Sequence, residues 1–287
     1  MANVRPSAIA GSWYPGSEAA LRKTVEGLLD RVAGEVAGRA GAGSARVFAL
    51  VSPHAGYAYS GPTAAHAFAR VRGTPFKRVV LLGPLHRMIP GSALGPFMVP
   101  EEDAYRTPLG AVPVDRDFIG ALGERVRLTP VRRDAEHALE IELPFLQVAL
   151  PGFALVPIML GEHIADPGSA SRLRQLAAAL AALADPETLI VASTDLSHLD
   201  SYAAVRRTDK HLVELVAAYD VDGLEAALHR DEVQACGASG LVAALRAAHI
   251  LGARRTEVLD YAASGDVTGD KRPGVYTVGY LAAAATA

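Results

Sequence analysis

Cysteine is almost absent from this sequence, and neither sign of charge is in large excess. The 287 residues include one cysteine, Cys236, so no disulfide can form within the chain, which favours a reducing cytoplasm. The formal net charge is −3, which provides no basic field for nucleic acid or an anionic membrane surface. We therefore expect neither nucleic acid nor a membrane as a partner.

Long hydrophobic runs are lacking as well. The longest strongly apolar stretch, Leu176–Ala184 (LAAALAALA), is shorter than the roughly 20 helical residues that cross a bilayer. The N-terminal sequence MANVRPSAIAGSWYPG lacks the continuous apolar segment of a signal peptide. Neither a Walker loop nor a G-x-G-x-x-G motif is present, which removes the main nucleotide-binding interpretations. These absences predict a cytoplasmic protein.

What the chain does contain is a repeated order of apolar run, loop and helical segment. Short β-branched or leucine-rich runs predict strands at Arg46–Val51, Arg78–Leu82, Phe153–Leu160, Thr188–Ala192, Arg255–Ala262 and Val275–Leu281. Helices are predicted at Glu18–Val36, Pro62–Arg70, Asp117–Leu122, Ala135–Leu150, Ser169–Ala184, Tyr202–Tyr219, Asp222–His229 and Gly237–Leu251. Pro144 should kink or divide its helix, and the Gly- and Ala-rich stretch Ala33–Ser44 should be flexible. The alternation predicts one α/β domain over residues 1–287, with a largely parallel or mixed sheet flanked by helices.

Polar side chains follow three of the predicted strands. His54 and His86 each come shortly after one strand, and Asp195 and His198 follow a third. Because ligands of open α/β sheets bind beyond the carboxyl ends of the strands, we expect these side chains to converge. Neutral imidazole is a common ligand of transition metals, and two histidines with one further ligand leave positions open for a substrate. The pattern favours a metal site.

The third ligand is left open by the residues alone. Asp195 is one candidate, although aspartate in such a place often caps the following segment. Cys236 is the other, because it lies in QACGASG at the predicted start of a helix, where the pKa of a thiol is lowered. A lone cysteine is often a small buried hydrophobe. A metal-free alternative uses the same atoms, with Cys236 as nucleophile, His198 as base and Asp195 as orienting group.

Several other polar and aromatic residues have less definite interpretations. The segment DAEHALEIELPF should begin a helix at the N-cap Asp134. His137, Glu140 and Glu142 could support the site, although a solvated helix face is the favoured interpretation. Trp13 either packs the N-terminal arm onto the domain or lines the mouth of a pocket. Five further histidines are expected to be structural: His66, His163, His211, His229 and His249.

Six motifs occur in an order that resembles the Memo-like family: SPHAGYAYSG, LLGPLH, EHALEIELPF, STDLSH, CGASG and SGDVTGD. The resemblance runs from SWYPG near the start to the final strand. It implies the single α/β domain of class III extradiol ring-cleaving dioxygenases, which use non-haem iron. The family's metal ligands map onto His54, His86 and Cys236. His198 takes the position of the acid/base histidine, with Asp195 beside it.

The resemblance also implies a range of functions. In the ring-cleaving enzymes the third ligand is a glutamate, whereas Cys236 occupies the corresponding position in this sequence. A thiolate favours softer ions such as Cu(I). Animal relatives are described as copper- or iron-binding redox proteins and as phosphotyrosine-peptide binders. Bacterial relatives are sometimes linked to a radical-SAM protein. We expect a metal-dependent, dioxygenase-like oxidoreductase with Fe(II) or copper, or with zinc, acting on an unknown small molecule. A peptide- or metal-binding module without turnover is the alternative.

Overall fold

Strands and helices alternate along the chain in the computed structural model, which describes residues 3–39, 45–87, 89 and 94–287. The strands are β1 (Val4–Arg5), β2 (Val47–Ser52), β3 (Arg78–Pro84), β4 (Phe97–Pro100), β5 (Ala104–Thr107), β6 (Gly110–Pro113), β7 (Thr129–Val131), β8 (Ala154–Leu160), β9 (Thr188–Ser193), β10 (His198–Leu199), β11 (Arg255–Ala263) and β12 (Thr277–Thr286). The helices are α1 (Glu18–Arg39), α2 (Gly61–Ala69), α3 (Arg116–Gly123), α4 (His137–Glu140), α5 (Leu143–Ala149), α6 (Ser169–Leu183), α7 (Tyr202–Ala217), α8 (Val221–His229), α9 (Ala238–Leu251) and α10 (Ser264–Thr268).

The described residues form one large mixed sheet and one small sheet. The large sheet has nine strands in the order β10-β12-β2-β9-β3-β8-β4-β7, with β11 also paired to β12. Its centre is parallel, because β2 and β3 both pair with β9 and β3 also pairs with β8. Strand β12 runs antiparallel to β2, and β4 runs antiparallel to β8. The small sheet has the order β1-β5-β6.

The central strands are hydrophobic on both faces because helices flank the sheet. Every residue of β2 and β9 is buried, as is every residue of β3 except Arg78. Helix α9 packs against β2, β3 and β9, and α6 packs against α9. Helix α2 packs against β2 and β12 and is in turn contacted by α1. The predicted α/β fold with a mixed central sheet flanked by helices is thereby confirmed.

Several element boundaries differ from the prediction. The segment predicted as the helix Ala135–Leu150 is divided into α4 and α5, and Pro144 lies in the first turn of α5, as its fixed φ favours. The N-cap of α4 is Glu136, whose side chain accepts a hydrogen bond from the backbone N–H of Ala138. The expected cap at Asp134 was therefore wrong. Helix α1 continues to Arg39 through residues predicted to be flexible, and residues 40–44 lie outside the described part.

The short strands of both sheets were missed. Strands β4 to β7 lie between residues 97 and 131 and have three or four residues each, too few for a clear alternation of polar and apolar residues. No helix within the described ranges is both long and apolar enough to cross a membrane.

Candidate metal centre

The parallel centre of the sheet places three polar loops at one edge. Strands β2, β3 and β9 are neighbours that run in the same direction. His54, His86 and Asp195 each lie two residues beyond the end of one of these strands. The loop that ends at α9 joins them, because the backbone N–H of Cys236 donates to the Asp195 carbonyl at 3.1 Å. The fold therefore assembles the predicted site from residues far apart in the chain.

The three residues expected to be metal ligands come together at this edge. One ligand atom from each of His54, His86 and Cys236 lies within 4.8 Å of the other two. The two imidazole rings are nearly perpendicular, at 82°, with their centroids 5.1 Å apart. The Cys236 Sγ atom lies 3.0 Å from His54 Nε2. The three potential donor atoms are therefore grouped at one place.

His54 is oriented by a hydrogen bond on the far side of its ring. Its Nδ1 atom lies 2.9 Å from Ser193 Oγ, which leaves Nε2 to face Cys236. The residue is only 2% exposed. Burial, together with the neighbouring imidazole of His86, lowers the pKa of His54 well below its ordinary value. The ring is therefore neutral, which is the form that binds metals.

A carboxylate orients His86. The His86 Nδ1 atom lies 3.0 Å from Glu136 Oε1, and the backbone N–H of His86 donates to Glu136 Oε2 at 2.6 Å. Burial opposes ionisation of Glu136, but hydrogen bonds from His86 and from the Ala138 N–H outweigh it and lower the pKa to about 2. A carboxylate behind a histidine fixes the ring and its tautomer in many metal sites. This arrangement leaves His86 Nε2 available as a ligand.

The Cys236 thiol is half-buried in a polar loop. Its Sγ atom accepts from the backbone N–H of Asp195 at 3.2 Å. Burial, followed by the carboxyl group of Asp195, raises the pKa of the thiol, so the expected lowering by a helix N-terminus is wrong for the metal-free chain. The thiol therefore keeps its proton in the metal-free chain, with His54 Nε2 at 3.0 Å and the Asp195 carbonyl oxygen at 3.5 Å from Sγ. A bound cation would favour the thiolate, because metal ligands must lose their protons.

Asp195 holds the loop rather than pointing a free oxygen into the cluster. Its Oδ1 atom accepts from the backbone N–H of His54 at 2.8 Å. Burial raises the pKa of Asp195 to about 7, although the N–H groups of His54 and Ala55 oppose this. Two groups of potential ligands occur in the described part of the chain, and Asp195 belongs to neither. The geometry groups Cys236, and not Asp195, with His54 and His86.

His198 lies beside the cluster, on the other side of Cys236. Its Nδ1 atom lies 2.9 Å from the Leu196 carbonyl, which only accepts, so Nδ1 carries the proton and Nε2 is the basic atom. His198 and Cys236 both line a cavity of about 240 Å³. His163, expected to be structural, also lines it. The alternative triad would need His198 to contact both Cys236 and Asp195. Among the described contacts, Cys236 Sγ contacts His54 Nε2 and Asp195 accepts from the His54 backbone, so the triad does not form.

His137 lies at the site, which was the less favoured of its two interpretations from the sequence. Expected on a solvated helix face, it is 8% exposed, with its ring centroid 4.5 Å from that of His86 and 5.6 Å from that of His54. Its Nδ1 atom lies 3.2 Å from Glu136 Oε1, but not in hydrogen-bonding geometry, and is a buried atom without a partner. Trp13 covers it, with the two ring centroids 4.4 Å apart.

Glu140 and Glu142 are buried too, so the interpretation as a solvated face was wrong for all three residues. The Glu140 carboxylate accepts from Tyr14 Oη at 2.7 Å and from the Ala8 N–H at 2.8 Å, and it pairs with the guanidinium of Arg5. This anchors the N-terminal segment that carries Trp13 against the site. The interpretation of the Trp13 region as an arm packed onto the domain therefore applies, and Trp13 itself lies against His137.

The donor atoms of His54 and Cys236 fit a transition-metal ion with a small adjustment. In tetrahedral geometry, bonds of about 2.1 Å to nitrogen and 2.3 Å to sulfur separate the two donor atoms by roughly 3.6 Å. The distance between His54 Nε2 and Cys236 Sγ is 3.0 Å, so the pair must open by roughly half an ångström when it binds a four-coordinate ion. Rotation of the thiol side chain is sufficient for a change of this size.

Comparison with known proteins finds similar sequences over nearly the whole chain. A family profile described as Memo-like protein matches residues 5–284. MEMO1 family proteins are 35% identical in Methanopyrus kandleri, over 97% of each chain, and 33% identical in Methanosarcina acetivorans and in Aeropyrum pernix. The latter two alignments cover 97% of this chain and 98% of each relative. The chain belongs to the family of Memo-like proteins.

Proposed function

We propose that this Memo-like protein binds a transition metal ion through His54, His86 and Cys236 and acts as a metal-dependent oxidoreductase on a small molecule. The observation that carries the proposal is the convergence of these three ligand atoms within 4.8 Å. Both histidines have their Nδ1 atoms engaged by Ser193 or Glu136, so their Nε2 atoms are directed to the site. Such support is typical of metal-binding histidines.

The ligand set restricts the choice of ion. Two imidazoles and one thiolate suit copper, Fe(II) and zinc better than the hard ions Mg²⁺ and Ca²⁺. A redox-active ion at this position would supply electron transfer between dioxygen and a bound molecule. Copper and Fe(II) are therefore the proposed ions, and zinc would fill the site without redox chemistry.

Two further histidines are placed to serve the bound molecule. His198 Nε2 is basic and lies at the cavity beside Cys236, so we assign to it the transfer of a proton. Burial lowers the pKa of His198, which keeps the ring neutral and able to accept a proton at neutral pH. His137 lies beside His86, with the two ring centroids 4.5 Å apart, and we assign to it a role in holding the bound molecule.

A binding module without turnover is the second candidate. Two tyrosines near the site, Tyr59 and Tyr276, are 47% and 59% exposed, and the Tyr276 ring centroid lies 6.1 Å from that of His198. Exposed aromatic side chains are frequent at protein-binding surfaces. A peptide could therefore dock across the mouth of the site and place one side chain near the metal.

Oxygen uptake separates the two candidates. Protein loaded with Fe(II) or copper is mixed with a panel of small reducing molecules that includes catechols, and dissolved oxygen is followed with time. The oxidoreductase proposal predicts uptake that falls roughly 10²- to 10⁴-fold in His198→Ala, while metal content stays the same. Absence of uptake over the whole panel, with peptide binding that a chelator does not change, would favour the binding module.

A further inference from the structure

Glu140, the last residue of α4, is a fully buried carboxylate that binds the N-terminal arm, residues 3–17. Five groups of the arm donate to it: the Arg5 guanidinium, the Ser7 hydroxyl at 2.5 Å, the backbone N–H groups of Ala8 at 2.8 Å and Ile9 at 3.2 Å, and the Tyr14 hydroxyl at 2.7 Å. A carboxylate offers about four lone-pair positions, so these donors saturate it. Among the described hydrogen bonds, this side chain serves the arm alone.

The surroundings of Glu140 favour its ionised form. Burial opposes ionisation, but the Arg5 guanidinium and the hydrogen bonds from Ser7 and Ala8 outweigh burial and lower the pKa below its ordinary value. Removing one partner of a buried ion pair is strongly unfavourable, because the other charge is left without compensation. A change that removes the charge of Glu140 should therefore loosen the arm.

The backbone of Trp13, in the same arm, lies against the loop of His54. The Trp13 carbonyl oxygen accepts from the backbone N–H of Tyr57 at 2.9 Å, and Tyr57 is three residues beyond His54. A Cβ atom added at Gly56 would lie 3.4 Å from the same oxygen, so the two backbones are in contact. The arm thus supplies a hydrogen-bond acceptor to the loop that carries one of the candidate ligands.

The ring of Trp13 lies against the other side of the candidate metal centre. Its centroid is 4.4 Å from that of His137, and the His137 ring stacks on His86, with centroids 4.5 Å apart and an interplanar angle of 24°. His137 and Glu140 are the first and last residues of the short helix α4. One helix therefore both binds the arm and presents the imidazole on which Trp13 packs.

We propose that Glu140 is a positioning residue which, by holding the N-terminal arm, keeps the Trp13 backbone on the His54 loop and the Trp13 ring on His137. The arm then acts as a strap across the two parts of the chain that carry His54 and His86. The consequence for metal binding rests on the function proposed above, whereas the placement of the strap does not. Docking of the arm should raise the affinity for the ion, and by reciprocity a bound ion should favour the docked arm.

Three variants separate this role from a general loss of stability. Glu140→Gln keeps the size of the side chain and removes its charge. Ser7→Ala removes one donor on the arm, and it decides the question if Glu140→Gln does not fold. Tyr105→Phe is the control, because the buried Tyr105 hydroxyl donates to Asp134 at 3.1 Å and has no described hydrogen bond to the arm.

Two measurements on metal-free protein report the strap, and a third reports the metal. Acrylamide quenching follows the shielding of Trp13, the only tryptophan. Amide hydrogen exchange by NMR follows the Tyr57 N–H, which donates to the arm. The Ser60 N–H is its reference, because it donates to the Gly56 carbonyl at 3.1 Å within the loop. Affinity for Zn²⁺ is measured by titration with a competing chelator.

Glu140→Gln should expose Trp13 to acrylamide and speed exchange of the Tyr57 N–H by roughly 2- to 10-fold, the equivalent of one hydrogen bond. Exchange of the Ser60 N–H should stay close to that of the wild type. Zn²⁺ affinity should fall by roughly 5- to 150-fold, the usual range for coupling between two sites. Saturating Zn²⁺ should restore part of the shielding of Trp13 in this variant.

The other two variants should differ from each other in all three measurements. Ser7→Ala should change Trp13 shielding, Tyr57 exchange and Zn²⁺ affinity in the same direction as Glu140→Gln, to a smaller extent. Tyr105→Phe should match the wild type in each. A response of Tyr105→Phe equal to that of Ser7→Ala would overturn the proposal, because loss of stability alone would then explain the changes.

Two further results would also reject the inference. Unchanged Trp13 shielding and Tyr57 exchange in the folded variants of Glu140 and Ser7 would mean that the arm is held without this carboxylate. A loosened arm with unchanged Zn²⁺ affinity would mean that the strap does not support the ligands. If the wild type binds no Zn²⁺ while Trp13 and Tyr57 respond as expected, the proposed metal function fails and the positioning role of Glu140 stands.

Discussion

Replacing Glu142 by glutamine should remove a pH dependence from the stability of the protein. The folded chain holds the Glu142 proton up to a pH of about 8, whereas an exposed glutamate has a pKa of 4.5. Between these two values the folded state binds the proton and the unfolded state releases it. The contribution of Glu142 to the free energy of unfolding is therefore greatest at the acidic end of this pH range and falls as the pH rises towards 8. Above that pH both states are ionised and the effect levels off.

The two pKa values set the size of the effect. The free energy of unfolding should fall by about 1.4 kcal/mol for each pH unit between them. From 4.5 to 8 this amounts to about 3 to 5 kcal/mol, which is large beside the roughly 5 to 15 kcal/mol that stabilises a typical domain. Glu142 is fully buried, so screening by water does not reduce the effect. The difference between wild type and Glu142→Gln isolates this group from every other ionisable residue.

Urea unfolding followed by circular dichroism, at pH 5, 6, 7 and 8 in the presence of a chelator, measures this difference. The gain in stability of Glu142→Gln over wild type should grow with each step in pH, with similar m-values throughout. Glu124→Gln is the matched control, because Glu124 is exposed at the end of α3. Its difference from wild type should stay within about 0.5 kcal/mol at every pH. A flat difference for Glu142→Gln, or one that shrinks as pH rises, would refute the assignment of a neutral buried acid.

Three further predictions concern the metal centre. Cys236→Ser should lower affinity for Cu(I) much more than affinity for Fe(II), as measured with competing chelators, because a hydroxyl is a poor ligand for a soft ion; equal losses would argue against thiolate ligation. Glu136→Ala should weaken metal binding by roughly 10- to 100-fold, because His86 loses the carboxylate that orients it. A chelator titration measures the affinity, and an unchanged value would show that this support is unnecessary. Trp13 is the only tryptophan and lies against His137. Binding of Cu²⁺ should therefore quench the tryptophan fluorescence, with an end point of one ion per chain. Quenching without a defined end point would place the ion elsewhere.

The sequence predicts the centre of the fold well because that part of it is encoded locally. Strands β2, β3 and β9 are short, continuous apolar runs, as strands buried on both faces must be. Since parallel neighbours end at the same edge, the residues that follow them must meet there. The approach of His54 and His86 could therefore be inferred, although 32 positions separate them in the numbering.

The support behind the ligands could not be inferred in the same way. In EHALEIELPF, four ionisable residues in close succession are typical of a solvated helix, yet all of them are buried. The partners that make this burial possible are distant in the sequence. Glu140 pairs with Arg5 across 135 positions, and Glu142 forms a hydrogen bond with Ser52 across 90. Such partners follow from the tertiary structure and leave no local pattern. The raised pKa of the Cys236 thiol was missed for the same reason, since it results from burial and from Asp195.

Metal analysis shows whether His54, His86 and Cys236 hold an ion. Wild-type protein is produced in cells grown in medium replete with iron and copper, purified without added metal or chelator, and assayed for transition metals by mass spectrometry. His54→Ala, His86→Ala and Cys236→Ser are treated in parallel, and His229→Ala serves as the control because His229 is an exposed histidine at the end of α8. We expect one transition-metal ion per chain in the wild type and in His229→Ala, and most of it should be lost from the three ligand variants. Metal content that is the same in all five proteins would contradict it.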